Sequence, residues 1–191
     1  MTQDDFFAVV EELKRARGQT VEFDGRQLPA SIALLEEKLA RETDVSRRQM
    51  LYSVYYMECA DLDRADLEVE ARRMEVKEFP REPVPLVGLA TALASYSKDL
   101  ESAAKMATLA VDAATQRGEF MNYALLAQVR IALQTQSYAT LESALRSLIE
   151  FSSTPPRADC ALETDFMKDI PQGAVDSAIL AAYASAATRG K

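Results

Sequence analysis

The sequence contains no histidine among its 191 residues. Histidine is the commonest general base near neutral pH and the commonest side-chain ligand of transition metals. Its absence excludes the histidine-dependent triads and dyads of most hydrolases and argues against a transition-metal cofactor. We therefore expect a protein that is not an enzyme and that has no cofactor and no metal site.

Glycine and cysteine are also scarce. The six glycines stand apart at positions 18, 25, 88, 118, 173 and 190, so they form neither a phosphate-binding loop nor a dinucleotide-binding fingerprint. Cys59 and Cys160 lack the C-x-x-C spacing of metal and redox sites, and they provide no disulfide framework. We interpret both as reduced thiols, with Cys59 buried in an apolar helix.

Basic residues are outnumbered, and long apolar runs are missing. The chain has 22 Lys and Arg against 30 Asp and Glu, a net charge of −8. Nucleic acids and anionic lipids are bound through clustered Lys and Arg, so we expect neither as a partner. The least polar stretches, residues 83–96 and 174–187, fall short of the ~20 residues that cross a bilayer. The N-terminus is acidic where a secretory signal is basic, and these features together predict a cytoplasmic protein.

The richest acidic cluster invites a comparison with calcium sites. Its members are Asp61, Asp63, Asp66, Glu68 and Glu70. The cluster lacks the glycine and the closing glutamate of a calcium-binding loop. The pattern favours a capped helix with a solvated outer face, in which Glu68 and Arg72 form an i,i+4 pair.

What the chain does have is helical periodicity, with apolar residues recurring every three to four positions. Residues 1–44 are expected to hold a helix over about 4–17, closed by Gly18, and a second helix from Pro29 to Arg41. Asp24-Gly25 between alternating residues is a hairpin signal, so the connection is expected to be either rich in turns or a small β-hairpin. The predicted fold class is all-α, with 1–191 forming a single domain.

A short similarity recurs at constant spacing. The stretches 61–65, 99–103 and 137–141 begin 38 residues apart, and each lies between two helix-length apolar patterns. This arrangement predicts three helical hairpins over residues 45–154. Thr43 or Asp44 is expected to cap the first of these helices, Asp99 to lie at the start of the second trailing helix, and Gly118 to end it. Residues 155–191 are then C-terminal capping helices, a short one over about 161–168 and a last one that opens at Pro171 and Gly173 and runs to about Thr188. Small residues of the last helix would permit a close approach to a neighbour, and they are Ala174, Ala178, Ala181, Ala182 and Ala186.

The trailing helix of the second hairpin carries the small residues Ala103, Ala107 and Ala110, after an apolar residue in the turn, Leu100. In this respect the chain resembles the tetratricopeptide-repeat family, although its period of 38 residues exceeds the family's usual 34. The resemblance implies a right-handed stack of antiparallel helical hairpins with flanking N- and C-terminal helices. It also implies that these small residues are buried and let the two helices of the hairpin approach closely. The leading helices would form a concave contact face.

Helical spacing proposes which residues of the leading helices face a partner. They are Arg47, Met50, Val54 and Glu58 in the first copy, Ser95 and Tyr96 in the second, and Tyr123, Arg130 and Gln134 in the third. Arginines would bind carboxylates, and tyrosines offer apolar area with one polar tip. Such a face suits an extended peptide or an amphipathic helix.

The leading hypothesis is a non-catalytic protein–protein interaction module that binds a peptide or helical segment on its concave face. Two alternatives remain open at this point. The size and acidity are similar to those of small chaperones of bacterial secretion systems. The alanine-rich last helix would also suit a homo-oligomeric scaffold, such as a homodimer.

Overall fold

The computed structural model describes residues 3–153 and 162–189, and it is helical over 77% of its length. The all-α class is therefore confirmed. Within the described ranges the α-helices are α1 Gln3–Ala16, α2 Ala30–Arg41, α3 Val45–Asp61, α4 Ala65–Glu78, α5 Pro83–Ala92, α6 Leu100–Arg117, α7 Met121–Gln134, α8 Tyr138–Ser153 and α9 Ser177–Arg189. A hairpin of β1, Thr20–Phe23, and β2, Arg26–Pro29, joins α1 to α2. A π-helical segment, Leu93–Ser97, continues α5, and a short 3₁₀ helix spans Asp165–Asp169.

The chain divides into two compact units, Met1–Glu75 and Val76–Lys191, with the boundary inside α4. The first hairpin of the repeat belongs almost entirely to the first unit, and the second and third hairpins belong to the second. That residues 1–191 behave as a single domain stays a prediction.

Local signals in the first unit determine where its elements begin and end. Asp24 and Gly25 both have positive φ, 48° and 72°, as the two-residue turn of a tight β-hairpin requires. The strands pair Thr20 with Pro29 and Phe23 with Arg26, so the hairpin signal is confirmed. Pro29 caps α2, where its missing N–H costs no helical hydrogen bond.

Predicted helix ends are confirmed in both units. The Asp44 carboxylate accepts a hydrogen bond from the Arg47 backbone N–H at the start of α3, and Asp99 does the same for Ser102 at the start of α6. Gly118 closes α6 with φ of 71°. Side-chain caps and left-handed glycines satisfy backbone groups that the end of a helix leaves without partners.

In the second unit, consecutive helices pack side by side. The helix α5 packs against both α6 and α7, then α6 against α7, α7 against α8, and α8 against α9. Ala103, Ala107 and Ala110 of α6 are at most 1% exposed, so the predicted close-packing role of these alanines is confirmed. Without long side chains in the contact, the backbones of neighbouring helices approach closely.

The two helices of the first hairpin, α3 and α4, contact each other instead through long polar side chains. The Tyr56 hydroxyl donates to Glu75 Oε2 at 2.5 Å, and the Arg72 guanidinium lies 3.8 Å from the Tyr56 ring centroid. Arg72 also binds Glu68 at 2.9 Å, which confirms the expected i,i+4 pair. Arg72 occupies the repeat position that Ala110 occupies in the second hairpin. Its long side chain suits a contact between polar side chains.

The C-terminal region differs from the sequence prediction in three ways. The last helix begins at Ser177 and not near Gly173, and the expected short helix near 161–168 is the 3₁₀ turn at Asp165–Asp169. Ile179, Tyr183 and Ala186 of α9 are buried, but the alanines expected to allow close approach at positions 178, 181 and 182 are exposed. The buried side of α9 therefore combines the bulky Ile179 and Tyr183 with Ala186. Cys160 and the proline pair 155–156 lie outside the described residues.

We predict that Ala107→Arg lowers the free energy of unfolding by on the order of 3 kcal/mol, because it places an unpaired charge where the side chain is 1% exposed. Leu109→Arg on the same helix is the matched control, since Leu109 is 41% exposed. Urea unfolding of both variants, followed by circular dichroism, measures the difference. Equal stability of the two variants would contradict the packing of α6.

Candidate binding groove

The structure separates the four predicted site residues of α3 into two groups. Val54 and Glu58 are each 2% exposed and lie in the core, so they are not available to a partner. This corrects the expectation that both lie on an open face. Arg47 is exposed and Met50 is half-buried, and these two residues line a common groove.

The five predicted site residues of the second unit are all exposed. Ser95 and Tyr96 lie in the π-helical segment after α5, and Tyr123, Arg130 and Gln134 lie on α7. The Arg130 guanidinium forms an ion pair with Glu163. These residues remain a predicted surface of the second unit.

Glu58 is buried because an arginine from another element satisfies it. Arg17, just after α1, donates from Nε to Oε1 at 3.0 Å and from Nη2 to Oε2 at 2.6 Å. The hydrogen bonds to Glu58 raise the pKa of Arg17, and a further bond to Asp61 acts in the same direction. A two-point contact of this kind holds a carboxylate in place and fixes the end of α1 on α3.

A groove of 420 Å³ opens among α1, α2 and α3. Its lining residues are Ala8, Val9, Glu12, Lys38, Arg41, Glu42, Arg47, Met50 and Leu51. We call this surface the α1–α3 groove. Leu51 is buried, Val9 and Met50 are half-buried, and Arg41 and Arg47 are exposed. Apolar side chains thus lie beneath charged ones, as in sites that bury part of a ligand and orient it by a few polar groups.

The basic side chains of the groove differ in their distances from the carboxylates that pair with them. Lys38 Nζ lies 2.6 Å from Glu12 Oε2 and links α2 to α1. Arg47 Nη1 is 3.9 Å from Glu42 Oε2, at the outer limit of an ion pair. This leaves the Arg47 guanidinium with a weak partner beside the apolar lining.

The corner between α2 and α3 is built from local hydrogen bonds. Glu42 Oε1 accepts from the backbone N–H groups of Thr43 and Asp44, both at 2.9 Å. Arg48 donates to the carbonyl oxygen of Leu39, in the last turn of α2, and to that of Glu42, just after it. These bonds leave little freedom in the connection and place the first turn of α3 beside the last turn of α2.

The sequence interpretation missed Lys38 and Arg41 as groove residues. Both lie in the last turn of α2, where basic residues complement the helix dipole, so their position carried no separate signal of binding. The partial signal was Val9 and Met50, which are apolar residues on two amphipathic helices. Periodicity alone does not show that these helices lie side by side.

Two tyrosines of α3 donate to carboxylates inside the first unit. The Tyr55 hydroxyl donates to Glu36 Oε1 at 3.0 Å, and that of Tyr56 to Glu75. Burial, followed by the neighbouring carboxylate charge, raises the pKa of both hydroxyls. Both tyrosines therefore stay protonated and serve as hydrogen-bond donors between helices.

Comparisons with protein-family models, with curated proteins and with solved structures found no match for this chain. Across residues 3–153 and 162–189, no three His, Cys, Asp or Glu side chains come together in a way that would hold a metal ion. Over the same ranges, no helix combines the length and the apolar character needed to cross a membrane.

Arg17→Leu should lower the free energy of unfolding by about 2 kcal/mol, because it leaves the buried Glu58 carboxylate unpaired. The double variant Arg17→Leu, Glu58→Leu should regain much of that loss, since no unpaired charge then remains at position 58. Urea unfolding measures both. Lys14→Leu is the control, because its pair with Glu11 is 55% exposed on each side and should contribute little.

Burial, followed by the charges of Glu68 and Asp66, raises the pKa of the Cys59 thiol from 9.0 to about 12. Between these pH values the unfolded chain binds fewer protons than the folded one, so the thiol's contribution to stability falls as the pH rises. We expect the native protein to lose stability relative to Cys59→Ala by about 1.4 kcal/mol per pH unit above pH ~9. Urea unfolding of both proteins from pH 8 to pH 10.5 tests this, and a constant difference would contradict it.

Proposed function

We propose that the chain is a non-catalytic module that binds a segment of a partner protein, with the α1–α3 groove as the contact surface. The observation that carries this proposal is the groove's composition, in which half-buried Val9 and Met50 lie beside the exposed Arg41 and Arg47. An amphipathic helix or an extended peptide buries apolar side chains in such a groove and places polar ones against its charges.

The packing of the second unit supports a scaffold of stacked helical hairpins resembling tetratricopeptide repeats. Stacked repeats require each hairpin to contact the next. The leading helices α5 and α7 pack against each other, and α6 packs against the helix that follows it. A rigid scaffold of this kind commonly presents an open surface to a protein partner.

The predicted partner-binding residues divide accordingly. Arg47 and Met50 belong to the α1–α3 groove. The five predicted residues of the second unit are exposed and remain candidates for a separate contact, namely Ser95, Tyr96, Tyr123, Arg130 and Gln134. Val54 and Glu58 are left out because both are buried.

A peptide selection tests the proposed function. Random 16-residue peptides displayed on phage would be selected on the wild-type protein, synthesised, and measured by fluorescence anisotropy. Met50→Asp should weaken the selected peptides at least tenfold, because it puts a carboxylate among the apolar lining residues. The control is Met57→Asp, since Met57 lies on the same helix, is 55% exposed and does not line the groove.

Circular dichroism would confirm that both variants keep their helical content. If the wild-type protein enriches no peptide, or if Met50→Asp binds every selected peptide as well as Met57→Asp does, the proposed function is wrong.

A further inference from the structure

The α1–α3 groove reverses the charge balance of the chain. Acidic residues outnumber basic ones 30 to 22 overall, yet this groove is lined by Lys38, Arg41 and Arg47 against Glu12 and Glu42. An acidic chain repels acidic ligands in general, and this groove, with one more basic than acidic lining residue, is a place where one is tolerated. The lining therefore favours a partner that carries negative charge.

Arg47 is available to such a partner. Its side chain is 52% exposed, and Glu42, its neighbour at 3.9 Å, already accepts hydrogen bonds from two backbone N–H groups. A carboxylate from outside would give Arg47 a short two-point contact that Glu42 does not provide.

Arg41 forms an exposed ion pair that an incoming carboxylate can easily replace. It pairs with Glu37 one turn earlier on α2, with the Arg41 side chain 78% exposed and that of Glu37 42% exposed. Exposed i,i+4 pairs of this kind contribute only about 0.3–0.5 kcal/mol. Arg41 can therefore turn to an incoming carboxylate at little cost.

The chain path sets these arginines close to each other. Arg41 ends α2 and Arg47 lies in the first turns of α3, with residues 42–44 between the two helices. Lys38 lies one turn before Arg41 and contacts Glu12 on α1. Basic groups thus follow one another along the groove, so they can contact successive carboxylates of one segment.

The apolar residues of the same groove select among negatively charged ligands. Val9, Met50 and Leu51 offer apolar surface, and methionine adapts to side chains of different shape. A nucleic acid would present its phosphate backbone and leave this surface unused, and the net charge of −8 would repel a polyanion. A helix with leucine-like residues on one face and carboxylates beside them uses both parts of the lining.

We infer that the α1–α3 groove binds an acidic amphipathic helix of a partner protein, with its apolar face against Val9, Met50 and Leu51 and its carboxylates on Arg41 and Arg47. This inference depends on the proposed function and specifies the chemistry of the partner.

Three fluorescent 16-residue peptides test it by anisotropy. One carries leucines at helical spacing with glutamate and aspartate between them. The second replaces the acids with lysine and arginine, and the third replaces the leucines with glutamine. We expect the acidic leucine peptide to bind the full chain at least tenfold more tightly than either of the others, and more weakly as salt rises from 50 to 300 mM.

The variant Arg47→Glu should weaken the acidic leucine peptide at least tenfold and strengthen the basic one. The matched control is Arg73→Glu, the same charge change at an exposed position of α4, which should alter binding less than twofold. Circular dichroism and urea unfolding would show that both variants fold.

Equal binding of the acidic and basic peptides, or no effect of Arg47→Glu, would overturn the inference. Displacement of the acidic peptide by glutarate or by a single-stranded oligonucleotide at equal charge concentration would overturn it as well, since the apolar contact would then be irrelevant. If peptides from the random library bind in a Met50-dependent way but show no acidic bias, the inference fails while the proposed function stands. Failure of the library selection would remove both.

Discussion

The first unit depends on one constraint: a carboxylate that is removed from water must find a partner. Glu58 is 2% exposed, and Glu68 and Glu75 are less than 9% exposed. Each has a donor on a different element or one turn away, and the contact of Arg17 with Glu58 joins positions 41 residues apart. An unpaired buried charge costs several kcal/mol, so these pairs restrict the way in which the helices of this unit can pack. The arrangement of α1 and α3 follows from that restriction, and so does the groove beside them.

In the second unit, the helices pack against each other through small side chains. Ala103, Ala107, Ala110 and Ala114 of α6 are all at most 1% exposed, and α6 packs between helices on both sides. Alanine loses no side-chain entropy on burial and allows close backbone approach, so many weak contacts replace a few strong ones. Tyr183 then adds bulk where α9 covers the end of the unit. The two units therefore use different interactions to pack their helices.

The proposed function rests on the place where this packing brings charged side chains and apolar surface together. In the α1–α3 groove, the corner at residues 42–44 sets the start of α3 beside the end of α2 and brings Arg41 near Arg47. Glu42 Oε1 accepts from two backbone N–H groups at that corner, while Glu42 Oε2 lies 3.9 Å from Arg47 Nη1, at the outer limit of an ion pair. The Arg47 guanidinium is therefore available beside half-buried Met50. Neither residue alone would indicate a site.

Before the C-terminal region, the sequence by itself determined the α-helices, their caps and the turn of the β-hairpin, because these depend on neighbouring residues. Asp44 and Asp99 cap helices, and Asp24-Gly25 forms a turn without help from distant parts of the chain. It also predicted which alanines of α6 are buried, since helical spacing fixes which residues share a face. Only the tertiary structure decided which face meets which neighbour. Periodicity placed Val54 and Glu58 on the same side as Met50, but contacts with other helices buried both and left Met50 half-buried. The pairing of Glu58 with Arg17 is invisible in the sequence because the partner of a buried charge is set by folding, across 41 residues.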